Sequence, residues 1–235
     1  MCAATKAKSK AVKETKTKTV KATKKKPAFS YYQIKITLLD SPLPIWRRLV
    51  LRSDLPLSLV HEMLQIVMGW GNYHNHLFIT PTAVFGIPLL VEKAETSPKG
   101  TKSKAKANPK SKTEPDIQDH HHVRLDEVLQ AAGDSFIYAY DPNSDWQHEL
   151  VLEDSMDGDS GSILARCMMG KRACPPEDVG GADGYRCFLD ALEDPLHSQH
   201  QDNLDWVECD FDPNSFDARQ VNIRLEQLEE QIKAD

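Results

Sequence analysis

Two hydrophobic periods alternate along the chain. Residues 31–39 (YYQIKITLL) set apolar, aromatic and β-branched residues against polar ones at every second position, which predicts a strand with one buried face. Residues 40–44 (DSPLP) are a turn, because proline fixes φ and removes a donor. Residues 45–52 (IWRRLVLR) return as a second strand, so the pair reads as a hairpin. The period then changes. Val60, Met63, Leu64, Val67 and Met68 recur at helical spacing behind Ser58 as N-cap, and Gly69 and Gly71 stop the helix. A third strand is predicted over 76–80, a helical turn around Leu125, Val128 and Leu129, and two strands over 135–140 and 147–152 joined by the turn at 141–145. One more strand follows at 163–167. Helical spacing returns at Phe188, Leu189 and Leu192, near Leu204 and Trp206, and at Leu225, Leu228 and Ile232. Strands arriving as hairpins, with helices between and after them, predict an α+β fold. It is a mixed, largely antiparallel sheet with helices packed on it in a single domain. That domain spans 29–225, and 226–235 is the end of the C-terminal helix.

Residues 170–185 (GKRACPPEDVGGADGY) fit neither period. Two prolines and four glycines in this stretch predict a shaped loop, serving either as a connector or as the wall of a site.

Composition narrows what can fold. Residues 1–26 hold ten lysines against one glutamate, and six more lysines lie between Lys99 and Lys112. Both tracts have the composition of disordered segments, so 1–28 is a lysine-rich tail and about 92–118 an insertion interrupting the domain. About 180 residues remain, enough for one full core. The formal charge of −6 therefore conceals a strongly acidic body. Such a body excludes general duplex binding, which rests on phosphate neutralisation, and leaves weak, non-specific nucleic-acid contact to the lysine-rich tails alone. Five cysteines without a C-x-x-C pair argue against a zinc ribbon and for reduced thiols. No apolar run reaches the ~20 residues of a membrane span, and no signal-type h-region opens the chain, which points to the cytoplasm.

Several stretches carry a resemblance when read in order. They are Pro44-Ile-Trp-Arg-Arg48, then Gly69-Trp70 with His74-x-His76-x-Phe78, then Tyr140-Asp141 with Trp146-x-His148. Cys167 and Gly170 then lead into Pro175-Pro-Glu-Asp-Val-Gly-Gly181 and Gly184-Tyr185. The series resembles the plasmid pRiA4b ORF-3-like family, which includes a resolvase-labelled insertion-sequence passenger protein, and covers about residues 30–225 without the insertion. The resemblance implies an α+β fold and mobile-element ancestry, and it brings no established activity. One departure stands out: family members usually read Tyr-Asp-Phe-Gly-Asp where this chain has Tyr140-Asp-Pro-Asn-Ser144.

Candidate chemistry follows from residue types. His74 and His76, two apart on an extended backbone, face the same way, and with His148 and Asp141 they offer the donors of a divalent-metal site. The same histidines can equally hydrogen-bond in the core. Glu177, Asp178 and Asp141 are candidates for general acid–base work, Glu177 or Asp141 also for metal ligation, and Asp178 alternatively caps nearby amides. Trp46, Arg47, Arg48, Trp146 and Tyr185 are candidate binding residues. Arg47 and Arg48 point to opposite faces of their strand, one of them toward a body carboxylate. His120, His121 and His122 abut the insertion and are expected to be solvated. The leading functional expectation is a non-enzymatic accessory or interaction protein, and the other is a metal-dependent hydrolase.

Overall fold

A computed structural model of the chain describes residues 29–88, 116–158, 163–207 and 211–234. The lysine-rich tail and nearly all of the insertion lie outside the described residues. In chain order the strands are β1 (Ser30–Leu38), β2 (Trp46–Arg52), β3 (His76–Ile79), β4 (Val84–Gly86), β5 (Ile117–Asp119), β6 (Ser135–Tyr140), β7 (Trp146–Asp157) and β8 (Ala165–Lys171). The helices are α1 (Leu57–Met68), α2 (Leu125–Val128), α3 (Gly181–Glu193), α4 (His200–Trp206) and α5 (Ala218–Ala234), with a 3₁₀ turn at His120–His122. All eight strands join one sheet in the order β5-β4-β3-β6-β7-β1-β2-β8. Every pairing is antiparallel except β4 with β5. The fold is α+β.

Alternation along each strand decides the core. Tyr32, Ile34, Ile36 and Leu38 of β1, Leu49 and Leu51 of β2, Tyr138 and Tyr140 of β6, and Trp146, Leu150 and Leu152 of β7 are all buried. They join one cluster with the α1 stripe Val60, Met63, Leu64, Val67 and Met68, with Tyr185 and Phe188 of α3, and with Leu225 of α5. The intervening strand positions, among them Gln33, Lys35, Trp46, Arg48 and Glu149, are only half-buried. The helices therefore cover one face of the sheet and leave the other open. No helix among the described residues is long and apolar enough to cross a membrane.

Local signals were read correctly in type and shifted at boundaries. The residue that caps α1 is Pro56, not Ser58, and no side chain caps this helix. Its first turn is instead held by tertiary pairing: Leu57 N–H donates to the Val123 carbonyl at 2.8 Å, and Pro56 bridges Arg124. Gly69 ends the helix with φ 85°, the left-handed conformation in which a Cβ is strained. Strands β4 and β5 carry no strong pattern of their own, and β5 takes Ile117 and Gln118 from the interval assigned to the insertion. Gly170 and Lys171 belong to β8 rather than to the loop, and α3 begins at Gly181, inside it. At the C-terminus one helix runs unbroken through residue 225.

Arg47 and Arg48 do point to opposite faces, with opposite energetics. On the open face, Arg48 makes a two-pronged ion pair with Glu153 at 2.5 and 2.7 Å. Arg47 enters the core and is 2 % exposed. Its guanidinium donates to the carbonyls of Val67, Trp46 and Lys171 and to Cys174 Sγ, and it lies 4.0 Å over the Phe216 ring. One side chain thereby ties β2 to the end of α1, the end of β8 and the loop beyond it. A lysine cannot reproduce that fork. Arg47→Lys is expected to cost about 2–4 kcal/mol in urea unfolding, whereas Arg48→Lys should cost under about 1 kcal/mol, as for a partly exposed ion pair.

Candidate functional site

The end of the sheet where β3, β6 and β7 meet gathers most of the residues singled out from the sequence. Tyr140 of β6 pairs with His76 of β3 on one side and with Trp146 of β7 on the other. Above them the segment following α1, Trp70 to Asn75, and the Pro175–Gly180 loop interlock. Two indoles fasten the loop from below: Trp70 Nε1–H donates to the Pro175 carbonyl at 3.0 Å and Trp146 Nε1–H to the Glu177 carbonyl at 3.3 Å. Trp70 also stacks on Tyr140, with ring centroids 5.2 Å apart.

Glu177 does the reverse and reaches out of the loop. Its carboxylate accepts from the Gly71 amide at 2.7 Å, from the Tyr73 amide at 3.4 Å, and from the Tyr140 hydroxyl. Burial, reinforced by that bond to the carboxylate, pushes the Tyr140 hydroxyl far above its ordinary pKa, so it remains a donor. Asp178 is exposed and stands 2.9 Å from His74 Nε2, while Asp141 lies 3.7 Å from His74 Nδ1. Asp141 is buried at a positive φ of 53°, and its carboxylate accepts from the Asn143 amide at 3.0 Å. Burial opposes its ionisation, but bonds from Ser144 and Asn143 and the nearby His74 outweigh it and hold the carboxyl below its ordinary range. Ser144 thus serves the turn itself.

The three candidate histidines go to three different environments. His74 joins the two aspartates. His76 stacks flat on His61, rings 3.5 Å apart at 7°, and meets His120 edge-to-face at 5.0 Å. His148 is fully buried on the far side of Tyr138 and donates from Nδ1 to the Tyr138 carbonyl at 3.2 Å. Trp46 stays on the open face under Arg48, 5.4 Å from ring centre to guanidinium, and Tyr185 is a core residue of α3. Burial raises the Cys167 and Cys174 thiols to about 11, so neither is a thiolate near neutral pH.

Sequence reading missed three members of this region. His61 and Gln65 lie one turn apart on α1, beside its apolar stripe, and both are buried. The Tyr138 hydroxyl donates to His61 Nδ1 at 2.7 Å and accepts from Gln65 Nε2 at 2.8 Å, while His61 Nε2 reaches Asn72 Oδ1 at 2.7 Å. Two polar residues at i and i+4 on the edge of an apolar stripe were the available signal. The third is His120. Its neighbours His121 and His122 are exposed as expected, but His120 is only 2 % exposed, because it closes the pocket against His76 and Phe78.

The glycines of the loop are demanded by geometry. Gly180 has φ 91° and a Cβ position in ordinary contact with Gly184 Cα at 3.8 Å, whereas Gly181 combines φ 72° with a Cβ position 2.5 Å from the Ser144 carbonyl oxygen. Gly180→Ala should therefore cost about 1 kcal/mol from strain alone, and Gly181→Ala distinctly more, about 2–3 kcal/mol, in parallel thermal melts. His148 supplies a pH signature. Burial, aided by the charge of Arg47, lowers its pKa to about 4 against opposing backbone hydrogen bonds. Because the folded value lies below the unfolded 6.5, its contribution is complete above pH 6.5 and is lost as pH falls toward 4. Between pH 7 and 5 the parent is expected to lose about 2 kcal/mol more stability than His148→Phe, measured by denaturant titration at each pH.

Comparison with known proteins agrees with this fold. The crystal structure of a protein of unknown function, MM3350, from Methanosarcina mazei Go1 superposes with a TM-score of 0.64 at 26% sequence identity, covering 81% of this chain and 97% of that one. An uncharacterised protein, y4hQ, of Sinorhizobium fredii is 32% identical over 203 residues, covering 85% of this chain and 92% of its own length. The sequence model of the family described as plasmid pRiA4b ORF-3-like protein matches residues 30–220. The family model spans most of the chain and the 32% identical relative is covered over most of its length, so the chain belongs to the plasmid pRiA4b ORF-3-like family.

Proposed function

We propose that this chain is a non-enzymatic accessory protein of mobile-element ancestry, in which the Pro175–Gly180 loop is a fastening rather than a catalytic wall. The observation that carries this reading is the occupation of Glu177. A general acid or base needs a lone pair or proton directed at substrate, and this carboxylate accepts from two backbone amides and a tyrosine hydroxyl of its own chain. Asp141 is held inside its own turn. The Asp178 and His74 side chains face each other, with no hydroxyl or thiol bonded to either side chain among the described residues. The two buried thiols are protonated. What the architecture offers is a rigid, acidic body bearing basic lysine-rich segments, a design suited to holding partners.

A fastening and a catalytic group respond differently to an isosteric change. Glu177→Gln keeps the shape but turns one acceptor oxygen into a donor facing donors. It is expected to lower stability by about 1–2 kcal/mol, seen as a fall in Tm, with no turnover to lose in ester, phosphodiester or peptide hydrolysis assays run with and without added Zn²⁺ or Mn²⁺. Turnover by the parent that disappears in Glu177→Gln or Asp178→Asn at unchanged Tm would overturn the accessory reading in favour of the hydrolase.

A further inference from the structure

A pocket of about 330 Å³ opens beside the interlocked loops, and its walls are unusually rich in imidazole: His61, His74, His76, His120 and His121, with Glu62 at the rim. Two nitrogens in it are buried and lack any hydrogen-bond partner, Nε2 of His76 and Nδ1 of His120. These residues are 7 % and 2 % exposed, so water does not freely satisfy them. Orphaned buried polar atoms of this kind are rare in folded proteins, since each costs about 1–3 kcal/mol. His61, by contrast, has both ring nitrogens engaged. The unmet demand is therefore confined to the side of the pocket formed by β3 and the 3₁₀ turn.

That side also holds a preassembled set of donors. Asp119, His120 and His121 each place one ligating atom within 4.8 Å of those of the other two. The Asp119 carboxylate accepts from the His121 amide at 2.9 Å, which fixes the turn, and sits 2.6 Å from His121 Nδ1. The His121 imidazole donates its Nδ1–H to that carboxylate, and a metal ion can take the place of the proton between two such groups. His120 stands between this exposed pair and His76, its ring 4.4 Å from His121 and 5.0 Å from His76. We infer that Asp119, His120 and His121 form a binding site for a divalent transition metal, with the unpartnered Nε2 of His76 in the same pocket. Two imidazoles and one carboxylate favour zinc, nickel, copper or cobalt over magnesium or calcium, which prefer all-oxygen shells. Three protein ligands at the edge of an open pocket leave a coordination position for water or for a small anionic ligand.

The site goes beyond the accessory reading and does not depend on it. Titration calorimetry of the full chain with Zn²⁺ alone is expected to show one ion per chain, with affinity at least tenfold weaker in His121→Ala and in Asp119→Asn. Both side chains are exposed and Asn keeps the backbone cap, so neither variant threatens the fold. His120→Phe should remove binding while Tm in the absence of zinc changes little or rises, because a buried orphan nitrogen is lost. Loading with Co²⁺ identifies the donors: nitrogen and oxygen ligation is expected, without the sulfur-to-cobalt charge-transfer absorption that Cys187 or another thiol would give. No heat in the parent titration, unchanged affinity in both exposed-site variants, or a thiolate band would each overturn the assignment. Zinc uptake accompanied by hydrolytic turnover would uphold the site and overturn the accessory reading, so the two fail separately.

Discussion

The carboxylate of Glu177 joins pieces of chain that are 106 residues apart in sequence. It is the acceptor around which one end of the molecule is organised. Gly71 and Tyr73 present amides that no strand or helix uses, and Tyr140 presents a hydroxyl at the top of an aromatic layer. Backbone donors left out of strands and helices take other acceptors where the chain offers them. The loop meets that demand in both directions, since its carbonyls also receive the Trp70 and Trp146 indoles. Prolines and left-handed glycines around Glu177 then follow as the means of holding one carboxylate in one place.

A second constraint arises from covering one face of an eight-stranded sheet with little helix. The core beneath that cover is not purely apolar. It contains Arg47, His61, Gln65, His76, His120, Asp141 and His148. Most of these are satisfied by short-range exchange with backbone or neighbouring rings: Arg47 by three carbonyls, and Gln65, Tyr138, His61 and Asn72 by a continuous chain of hydrogen bonds. A buried guanidinium without a carboxylate is tolerable because carbonyl dipoles and the Phe216 face stand in for the counter-ion. Among the exceptions, His76, His120 and His148 each keep one unpartnered ring nitrogen and Gln65 an unpartnered amide oxygen, and only those of His76 and His120 line the histidine-rich pocket.

Some of this was legible in the residues. The ordered series from Pro44 to Tyr185 pointed to the family, and strict alternation in 31–39 and 135–140 marked strands whose inward side chains are the observed core. Glu177, Asp178, Asp141, His74 and His76 were all singled out, and the structure places them around one end of the sheet. His148 joins that set by residue type, yet in the sheet it pairs with Tyr138, two residues along β6 from Tyr140, and its ring is fully buried in the core. His120 was read as solvated because a run of three histidines beside a lysine-rich tract looks polar on every side. A 3₁₀ turn rotates successive residues by about a third of a turn, so one of the three is driven inward.

By itself, the sequence determined period and punctuation: six of the strand segments, which helix carries an apolar stripe, where glycine and proline forbid either, and which family the chain resembles. Those are local or nearest-neighbour properties, set by backbone sterics and side-chain alternation. Tertiary structure alone decided that β4 and β5 pair in parallel on either side of the insertion, that Pro56 rather than Ser58 caps α1, and that Glu177 serves two distant amides. It also decided which histidines retain an unpartnered nitrogen. Each of these is a question of which donor meets which acceptor after the chain has closed on itself. Hydrogen-bond satisfaction is a property of the assembled neighbourhood, and residues a hundred positions apart carry no local trace of it.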